Sequence, residues 1–392
     1  MENFVERGIA VRLREALADT PVVIVQGPRQ CGKSTLVQRV CDLPYVTLDD
    51  TFTLSNALAS PEGWLKSFKE GAIIDEIQRA PQLMRSVKAV VDADRRPGRF
   101  VLTGSANVLL LPKLSDSLAG RMEVLTLYPF SQSELSGQLR PFLDRWTAGE
   151  LKGGMESSVA WGGFPEPLKR NTDSRKRAWF QAYVRALMDR DVRDLAQIEG
   201  LNALPNLLQV LANAPYEVQN ITQISRETGI PATSLSRYIS LLQAVYLIHP
   251  VPAWSALQNG KAAKTARLAF SDMGVWNYFQ PRTHDENCSA MHVAMELVKE
   301  AGWAEEPYEV MHFRSTRHHS VPIVLGLPNG QIYGINVVDR ELINDGDFAG
   351  LRFLRDVAGD AFVAGIVLSR RTEVGFVDEQ LSYAPKSSLW AV

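Results

Sequence analysis

The chain has 392 residues, of which 45% are hydrophobic and 22% charged, and its formal net charge at pH 7 is −2. This composition is typical of a globular protein with two or three domains, and the charge gives no support for a whole-molecule affinity for nucleic acid. The three cysteines form no close pair, which argues against a disulfide framework or a zinc site. No apolar stretch approaches the roughly 20 residues that span a bilayer, and no signal peptide is visible. We therefore expect a cytoplasmic protein with no membrane contact.

Short apolar runs alternate with helical patterns in the first part of the chain. The runs that we predict to be strands are 21–25, 45–48, 72–74, 99–102 and 123–127. The first run is continuously apolar, as expected for a strand buried on both faces. Strands that alternate with helices predict an α/β domain with a parallel, doubly wound sheet.

A phosphate-binding pattern follows the first predicted strand. Residues 27–34 read Gly-Pro-Arg-Gln-Cys-Gly-Lys-Ser and match G-x-x-x-x-G-K-[ST] in full, with a helical pattern after them. The glycines permit backbone torsions that turn N–H groups toward an anion, and the helix N-terminus adds partial positive charge. Lys33 would reach the β- and γ-phosphates and Ser34 would ligate Mg²⁺, so the pattern predicts an ATP site. The residues that we assign to the nucleotide are Gly27, Pro28, Arg29, Gln30, Cys31, Gly32, Lys33, Ser34 and Thr35.

Acidic and small polar residues end two later strands of the same predicted sheet. Asp75 and Glu76 follow the run 72–74, at the strand end where such sheets bind ligands. We predict that Asp75 holds Mg²⁺ through water and that Glu76 orients or deprotonates the attacking water. Thr103 or Ser105 could sense the γ-phosphate, and Ser105 is our choice, although a polar strand-to-loop turn is an equally good explanation for either one.

Residues 20–135 resemble the AAA+ ATPase core found in many prokaryotic genomes. The segments that carry the resemblance are GPRQCGKST, YVTLDD, AIIDEIQRAP, FVLTGSAN, LAGR and LYPFSQSEL. The resemblance implies a homo-oligomer, such as a ring, in which an arginine of one subunit reaches the γ-phosphate of its neighbour. Arg121 matches that position best, and Arg79 and Arg99 are weaker candidates. A surface ion pair is the competing explanation for Arg121.

The middle of the chain contains a helix-turn-helix pattern. Asn220 can cap one short helix, Gly229 can end it, and a second helix follows Pro231. Residues 245–248 and 251–254 could form a wing, so the segment resembles a winged helix. The residues that we predict to contact DNA are Arg226, Ser234, Ser236, Arg237 and Tyr238. Two cations are few for phosphate binding, and a protein-contact module is the alternative.

The C-terminal part resembles the restriction-endonuclease-like fold, whose nucleases hold a metal with several carboxylates and a lysine. Glu296 matches the helix glutamate, but Asn336 and Val338 occupy the places of the Glu-x-Lys pair and the strand 320–325 has no acid. Asp339 is out of phase with that strand face. One carboxylate cannot hold a catalytic Mg²⁺, so we predict no nuclease activity. His312, His318 and His319 have no acid or cysteine partner nearby and are interpreted as part of a polar loop.

Together these patterns predict an AAA+ core over residues 1–150, a helical lid and winged-helix domain over 151–255, and a degenerate nuclease-like domain over 256–392. Two hypotheses for the function stay open. One is an ATP-driven machine that assembles on or remodels DNA, for example branched DNA. The other is a nucleotide-gated interaction protein with slow hydrolysis and a protein partner.

Overall fold

The computed structural model describes residues 4–107, 118, 120–154, 159–195, 201–255, 265–280, 286–315 and 319–392. Contacts divide the chain into two compact units. The N-terminal unit contains Glu6–Pro129 and Leu242–Tyr246, and the C-terminal unit contains Phe130–Leu241 and Leu247–Val392. None of the helices in these ranges is long and apolar enough to cross a membrane.

The N-terminal unit is built on a parallel sheet. Its strands are β1 (Val22–Gln26), β2 (Tyr45–Thr47), β3 (Ala72–Asp75), β4 (Phe100–Gly104) and β5 (Met122–Thr126), in the spatial order β2-β3-β4-β1-β5. Every pairing in the sheet is parallel, which confirms the predicted architecture. All residues of β1, β3 and β4 are buried, because helices cover both faces of such a sheet.

Helices connect these strands and supply one side of the core. The helices of this unit are Ala10–Asp19, Lys33–Val40, Thr51–Ala59, Pro61–Ser67 and Leu83–Ala93, with a 3₁₀ turn at Ile77–Arg79. The helix Leu83–Ala93 shows the principle, since Val87, Val90 and Val91 are buried at helical spacing against Ile74 and Leu102 of the sheet.

The first part of the C-terminal unit is helical. Its helices are Gln132–Ser136, Phe142–Thr147, Pro165–Leu168, Asp173–Ala186, Val192–Leu195, Leu204–Asn213, Ile221–Thr228 and Ala232–Ala244, with a π-helical turn at Leu187–Asp191. The end of the last helix, from Leu242, is assigned to the N-terminal unit. As predicted, the Asn220 side chain caps one helix by accepting a hydrogen bond from Gln223 N at 3.2 Å, and Gly229 ends that helix with a φ of 72°.

A small antiparallel sheet follows these helices and differs from the predicted wing. β6 (Ile248–Val251) pairs with β7 (Arg267–Phe270), and Val218 forms a single bridge with Arg267. The prediction of a strand at 245–248 was wrong, since Tyr246 has a φ of 58° in a turn that follows the helix. A positive φ at a non-glycine residue interrupts extended backbone, so the strand begins only at Ile248.

The last part of the C-terminal unit is a mixed sheet with helices. Its strands are β8 (Glu309–Arg314), β9 (Ser320–Gly326), β10 (Ile332–Val337), β11 (Phe362–Ser369), β12 (Gly375–Phe376) and β13 (Leu381–Pro385), in the order β12-β13-β11-β10-β9-β8. β9 is antiparallel to β8 and β10, whereas β10, β11 and β13 are mutually parallel. The helices of this part are Met273–Phe279, Glu286–Ala301 and Ala349–Ala358.

Buried polar contacts hold the segment that follows Pro129 to the rest of the C-terminal unit. Glu296 Oε2 accepts a hydrogen bond from Gln132 N at 2.5 Å, and Glu300 Oε2 accepts one from Phe142 N at 2.7 Å. Contacts therefore separate the units at residues 129 and 130, whereas the irregular polar stretch in the sequence placed a boundary near 150. The domain limits 1–150, 151–255 and 256–392 stay predictions.

Candidate functional site

The phosphate-binding loop lies between β1 and the helix Lys33–Val40, and both of its glycines have a structural reason. Gly27 has a φ of 150°, and a Cβ on it would lie 2.0 Å from Leu127 O. Gly32 has a φ of 103° and precedes the helix. Such torsions are strained in any residue with a side chain. The loop conformation therefore depends on glycine at both positions.

Lys33 places a positive charge inside the loop. Its side chain is only 5% exposed, and Nζ donates hydrogen bonds to Gly27 O at 3.0 Å and Pro28 O at 2.9 Å. Carbonyl oxygens stabilise the buried ammonium group, and the positive end of the helix dipole lies beside it. The loop is therefore an electropositive cradle of the kind that binds phosphate.

Three adjacent strands bring the predicted site residues to one edge of the sheet. β3 ends at Asp75, β4 ends one residue before Ser105, and β1 ends one residue before Gly27. Because these strands are parallel neighbours in the order β3-β4-β1, their carboxyl ends lie side by side. Gly27 N also donates a hydrogen bond to Gly104 O at 3.2 Å, which joins the loop to β4.

Asp75 is surrounded by hydroxyl groups. Ser34 Oγ donates to Asp75 Oδ1 at 3.0 Å, Tyr45 Oη donates to Oδ2 at 2.6 Å, and Thr103 Oγ1 also donates to Oδ1. Burial, followed by the adjacent Asp75 carboxylate, raises the pKa of Tyr45 to about 12, so the phenol stays protonated and acts as a donor. The contact between Ser34 and Asp75 brings together the two residues predicted to hold Mg²⁺.

Glu76 follows directly and has an unusual backbone conformation. Its φ is 60° and its ψ is 45°, in the left-handed region, and its N–H donates to Thr103 Oγ1 at 3.3 Å. Ser105 Oγ donates to Glu76 Oε2 at 3.4 Å, whereas Thr103 is bound to Asp75. Of the two candidates for sensing phosphate, Ser105 is therefore the one whose hydroxyl contacts the Glu76 carboxylate, whereas Thr103 contacts the Glu76 backbone.

Three further residues at this site were missed by sequence reasoning. They are Arg7, Tyr45 and Gln78. Arg7 is buried and donates to Cys31 O at 3.0 Å and Tyr128 O at 2.7 Å, so it joins the loop to the segment after β5. The sequence could not identify Arg7 and Tyr45, because the fold brings their side chains from other elements. Gln78 lies two residues after Glu76, but no local pattern shows that its side chain turns back to Glu76 and Ser105. Burial raises the pKa of the neighbouring Cys31 thiol, which donates to Leu127 O at 3.2 Å.

The remaining nucleotide-loop residues differ in exposure. Pro28 is buried, Arg29 is half-buried, and Gln30 and Thr35 are exposed. Gln30 has a φ of 61°, a second left-handed residue within the loop. The loop thus presents its backbone and Lys33, rather than a set of large side chains, to a ligand.

Arg121 lies at the amino-terminal ends of the strands, whereas the phosphate loop of its own chain lies at their carboxyl ends. It immediately precedes β5, and Met122 pairs with Val22 at the start of β1. A five-residue strand, about 16 Å long, therefore separates Arg121 from the loop. Arg121 donates two hydrogen bonds to Asp92, one of them from Nη2 to Oδ2 at 3.1 Å. This pairing lowers the pKa of Asp92 and raises the pKa of Arg121. The weaker candidates Arg79 and Arg99 pair with Asp49 and Asp94.

The predicted DNA-contacting residues are only partly on the surface. Arg226, Ser236 and Arg237 are exposed and Ser234 is half-buried. Tyr238 is 6% exposed, so its assignment to a DNA-contacting face was wrong. The reason is helical spacing, since Tyr238 lies three residues after the buried Leu235 and thus on the same apolar face.

The residues at the positions compared with nucleases form contacts within the protein. Glu296 is 2% exposed, and its Oε1 lies 2.7 Å from Lys299 Nζ. Asn336 donates to Asp347 O at 2.7 Å, Val338 is buried, and Asp339 pairs with Arg370 and Lys386. The arrangement leaves Glu296 and Asp339 paired with cations.

The histidine interpretation needs correction at one position. His312 belongs to β8 and is fully buried rather than part of a polar loop, and burial lowers its pKa to about 4. His319 stacks on Phe353 with ring centroids 4.5 Å apart. His318 lies outside the described residues.

Comparison with known proteins agrees with the geometry of the N-terminal unit. Residues 19–136 match a family model described as an AAA domain. The parallel sheet and the phosphate loop of the N-terminal unit lie within the residues that match this AAA-domain model. Residues 154–286 match a second model, described as a domain of unknown function, DUF8612.

Among individual proteins, the chain is 28% identical over 271 residues to uncharacterized proteins of Mycobacterium tuberculosis (Rv2008c) and Mycobacterium bovis (Mb2031c). These matches cover 69% of this chain and 58% of theirs, so the chain spans somewhat more than half the length of these relatives. A similar solved structure is the Walker-type ATPase paby2304 of Pyrococcus abyssi, with 15% identity, a TM-score of 0.46, and coverage of 71% of this chain and 97% of that one.

Proposed function

We propose that this protein binds ATP with Mg²⁺ and hydrolyses it to drive assembly or remodelling on DNA. The observation that carries the proposal is the edge of the N-terminal sheet, where Lys33 in the loop after β1 and Asp75 and Glu76 at the end of β3 lie on either side of β4. A phosphate cradle, a carboxylate for a metal and a carboxylate for water in one place are the parts that phosphoryl transfer to water requires.

Ser34 and Asp75 are suited to Mg²⁺. Their oxygens lie 3.0 Å apart, and hard oxygen donors are the ligands that this ion prefers. Ser34 would ligate the ion directly and Asp75 through water, with Tyr45 and Thr103 holding the carboxylate in orientation. When bound, Mg²⁺ would neutralise charge on the phosphate oxygens.

Glu76 is the proposed base for the attacking water, and Ser105 is the proposed contact to the γ-phosphate. Both follow strand ends beside the loop, and the hydrogen bond between them places the two groups together. Lys33 would leave the carbonyl groups of Gly27 and Pro28 for the β- and γ-phosphates, which are stronger acceptors because they are charged.

The ATPase claim is tested by Lys33→Ala and Glu76→Gln. We expect Lys33→Ala to abolish nucleotide binding, whereas Glu76→Gln should bind ATP normally but hydrolyse it at least 100-fold more slowly, the range expected for loss of a general base. Equilibrium binding of a fluorescent ATP analogue and phosphate release measure the two effects. Hydrolysis at the wild-type rate in both variants would contradict the proposal.

An oligomer is part of this proposal. Arg121 is too far from the phosphate loop of its own chain to contact it. In an oligomer, its side chain could instead reach the nucleotide of a neighbouring subunit. The ion pair with Asp92 would then be exchanged for a contact with the neighbour's γ-phosphate, a role that the resemblance to AAA+ proteins assigns to this position.

The DNA proposal rests on the connections within the C-terminal unit. The helices Leu204–Asn213, Ile221–Thr228 and Ala232–Ala244 precede β6, and β7 pairs with both β6 and Val218. This order of three helices followed by a small antiparallel sheet supports the proposal of a winged helix, although the sheet begins later than the predicted wing. Arg226 and Arg237 are the exposed cations that would contact phosphates.

We propose that the last part of the chain is a nuclease-like domain without nuclease activity. A helix, three antiparallel strands, a helix and a parallel strand, from Glu286 to Ser369, follow the connectivity expected for that fold. Glu296 binds Gln132 and Lys299, and neither Asn336 nor Val338 can supply a carboxylate. Assay of DNA cleavage with Mg²⁺ or Mn²⁺ tests this, and cleavage that is lost in Glu296→Ala would refute it.

The alternative is a nucleotide-gated interaction protein with a protein partner and slow hydrolysis. It is favoured by the small number of cations on the helix pair and by the near-neutral charge of the whole chain. Fluorescence anisotropy with duplex, single-stranded and branched DNA separates the two proposals. If no salt-dependent binding is found at low ionic strength, the protein-partner alternative is supported.

A further inference from the structure

Gln78 connects the proposed base to the proposed phosphate sensor. Its Nε2 donates to Glu76 Oε2 and to Ser105 Oγ at 2.9 Å, and its Oε1 lies 3.4 Å from Ser105 N as an acceptor. Ser105 Oγ also donates to Glu76 Oε2 at 3.4 Å. The three side chains thus form a closed triangle of hydrogen bonds.

Chemistry fixes the orientation of the Gln78 amide within this triangle. A carboxylate only accepts hydrogen bonds, so the amide nitrogen must face Glu76, and a backbone N–H only donates, so the amide oxygen must face Ser105 N. Gly104 leaves room for this arrangement, because a Cβ there would lie 3.1 Å from Gln78 Oε1. The left-handed conformation of Glu76 and the 3₁₀ turn Ile77–Arg79 bring Gln78 back to Glu76.

The two hydrogen bonds that Glu76 accepts in this triangle use both lone pairs of its Oε2. A carboxylate oxygen has two lone-pair directions, and Oε2 receives protons from both Gln78 and Ser105. A water molecule cannot donate to Oε2 until one of these donors leaves. Ser105 has a single hydroxyl proton, so donating it to a phosphate oxygen would withdraw it from Glu76.

We propose that Gln78 is a positioning residue that couples recognition of the γ-phosphate at Ser105 to the base Glu76. When Ser105 turns its proton to phosphate, Gln78 keeps the carboxylate in place while one lone pair of Oε2 becomes free for the attacking water. This inference rests on the proposed ATP hydrolysis and assigns no contact between Gln78 and nucleotide.

The test is Gln78→Leu, which keeps the size of the side chain and removes its hydrogen bonds. We expect kcat for ATP hydrolysis to fall by up to about 100-fold, the cost of a misplaced reacting group, while Kd for ATP changes less than about twofold. Gln78→Glu keeps the shape and places a like charge against Glu76, so the same loss is expected. Gln82→Leu is the matched control, because Gln82 is an exposed glutamine at the start of the next helix.

A double-mutant cycle with Ser105→Ala tests the coupling itself. Because both residues act on one oxygen of Glu76, the double variant should lose little more kcat than the worse single variant. Multiplicative losses would overturn the coupling, and an equal change in kcat and in ATP affinity would indicate a structural role instead.

Glu76→Gln is assayed alongside to keep the two proposals separate. If hydrolysis persists in Glu76→Gln, the proposed role of the base is wrong and this inference fails with it. If hydrolysis requires Glu76 but is unchanged in Gln78→Leu and Gln78→Glu, only the role of Gln78 is wrong.

Discussion

Glu300 is a buried carboxylate whose environment makes its protonation depend on folding. It lies in the helix Glu286–Ala301, accepts hydrogen bonds from Ser133 Oγ and Phe142 N, and is fully buried. Burial raises its pKa from 4.5 to about 7, and the hydrogen bonds and Arg145 only partly oppose this effect. The folded chain therefore holds a proton on Glu300 at pH values where the unfolded chain has lost it.

The sign of the stability effect follows from this difference. Between pH 4.5 and about 7 the folded state binds more protons than the unfolded state, so the contribution of Glu300 to the free energy of unfolding falls as pH rises. Above pH 7 the ionisation of Glu300 lowers the free energy of unfolding by its full amount, which is at most about 3 kcal/mol.

Glu300→Gln should remove this dependence, because the amide is neutral and its oxygen can still accept from Phe142 N. We expect the variant to gain stability relative to wild type as pH rises from 4.5 to 7.5, measured as the difference in thermal midpoint at each pH. A difference that is constant with pH would show that Glu300 titrates at its ordinary pKa. Glu305→Gln, an exposed neighbour, serves as the control.

The helix pair Ile221–Thr228 and Ala232–Ala244 determines which side chains are available to a partner. Leu235, Tyr238 and Ile239 are buried on one face, which leaves Arg226, Ser236 and Arg237 outward. A proposed DNA contact must therefore use this small polar surface, and its strength depends mainly on two arginines.

Arg226→Ala combined with Arg237→Ala should weaken DNA binding uniformly across sequences. Each phosphate contact contributes about 0.9 to the slope of log affinity against log salt, so the double variant should reduce that slope by up to about 2. Anisotropy titrations at several salt concentrations measure it. Arg185→Ala is the control, since Arg185 is exposed on the separate helix Asp173–Ala186. An equal change in the control would show that the helix pair does not form the DNA interface.

At the scale of the whole molecule, Arg121 lies too far from the phosphate loop of its own chain to contact a nucleotide bound there. Arg121 precedes β5 at the amino-terminal ends of the strands, whereas the phosphate loop follows β1 at their carboxyl ends. If Arg121 acts at the γ-phosphate, it must therefore act on the nucleotide of another copy of the chain.

Mixing two inactive variants tests this directly. Arg121→Ala retains Glu76, and Glu76→Gln retains Arg121, so a mixed oligomer would contain interfaces with both groups intact. We expect each variant alone to be slow and the mixture to recover a substantial part of the wild-type rate of phosphate release. A mixture no faster than the mean of its components would contradict a role for Arg121 in a neighbouring subunit. Lys88→Ala, near Asp92 on the same surface, is the control for nonspecific loss.

The sequence by itself determined the parallel sheet and the chemistry at its edge. Continuous apolar runs, alternation with helices and the spacing Gly27 to Ser34 are local properties, and they place Lys33, Asp75 and Ser105 together once the strands are parallel. Asn220 and Gly229 were predicted correctly for the same reason, since caps depend on neighbouring residues.

Tertiary structure decided what depends on residues distant in sequence. Tyr45 reaches Asp75 from another strand, Arg7 joins two segments that are far apart in the chain, and the turn after Glu76 brings Gln78 to Ser105. Burial decided the outward face of the second helix, which removed Tyr238 from it. Local patterns specify which groups a segment can offer, but packing and hydrogen bonds between segments decide which of those groups face a ligand and which are held inside.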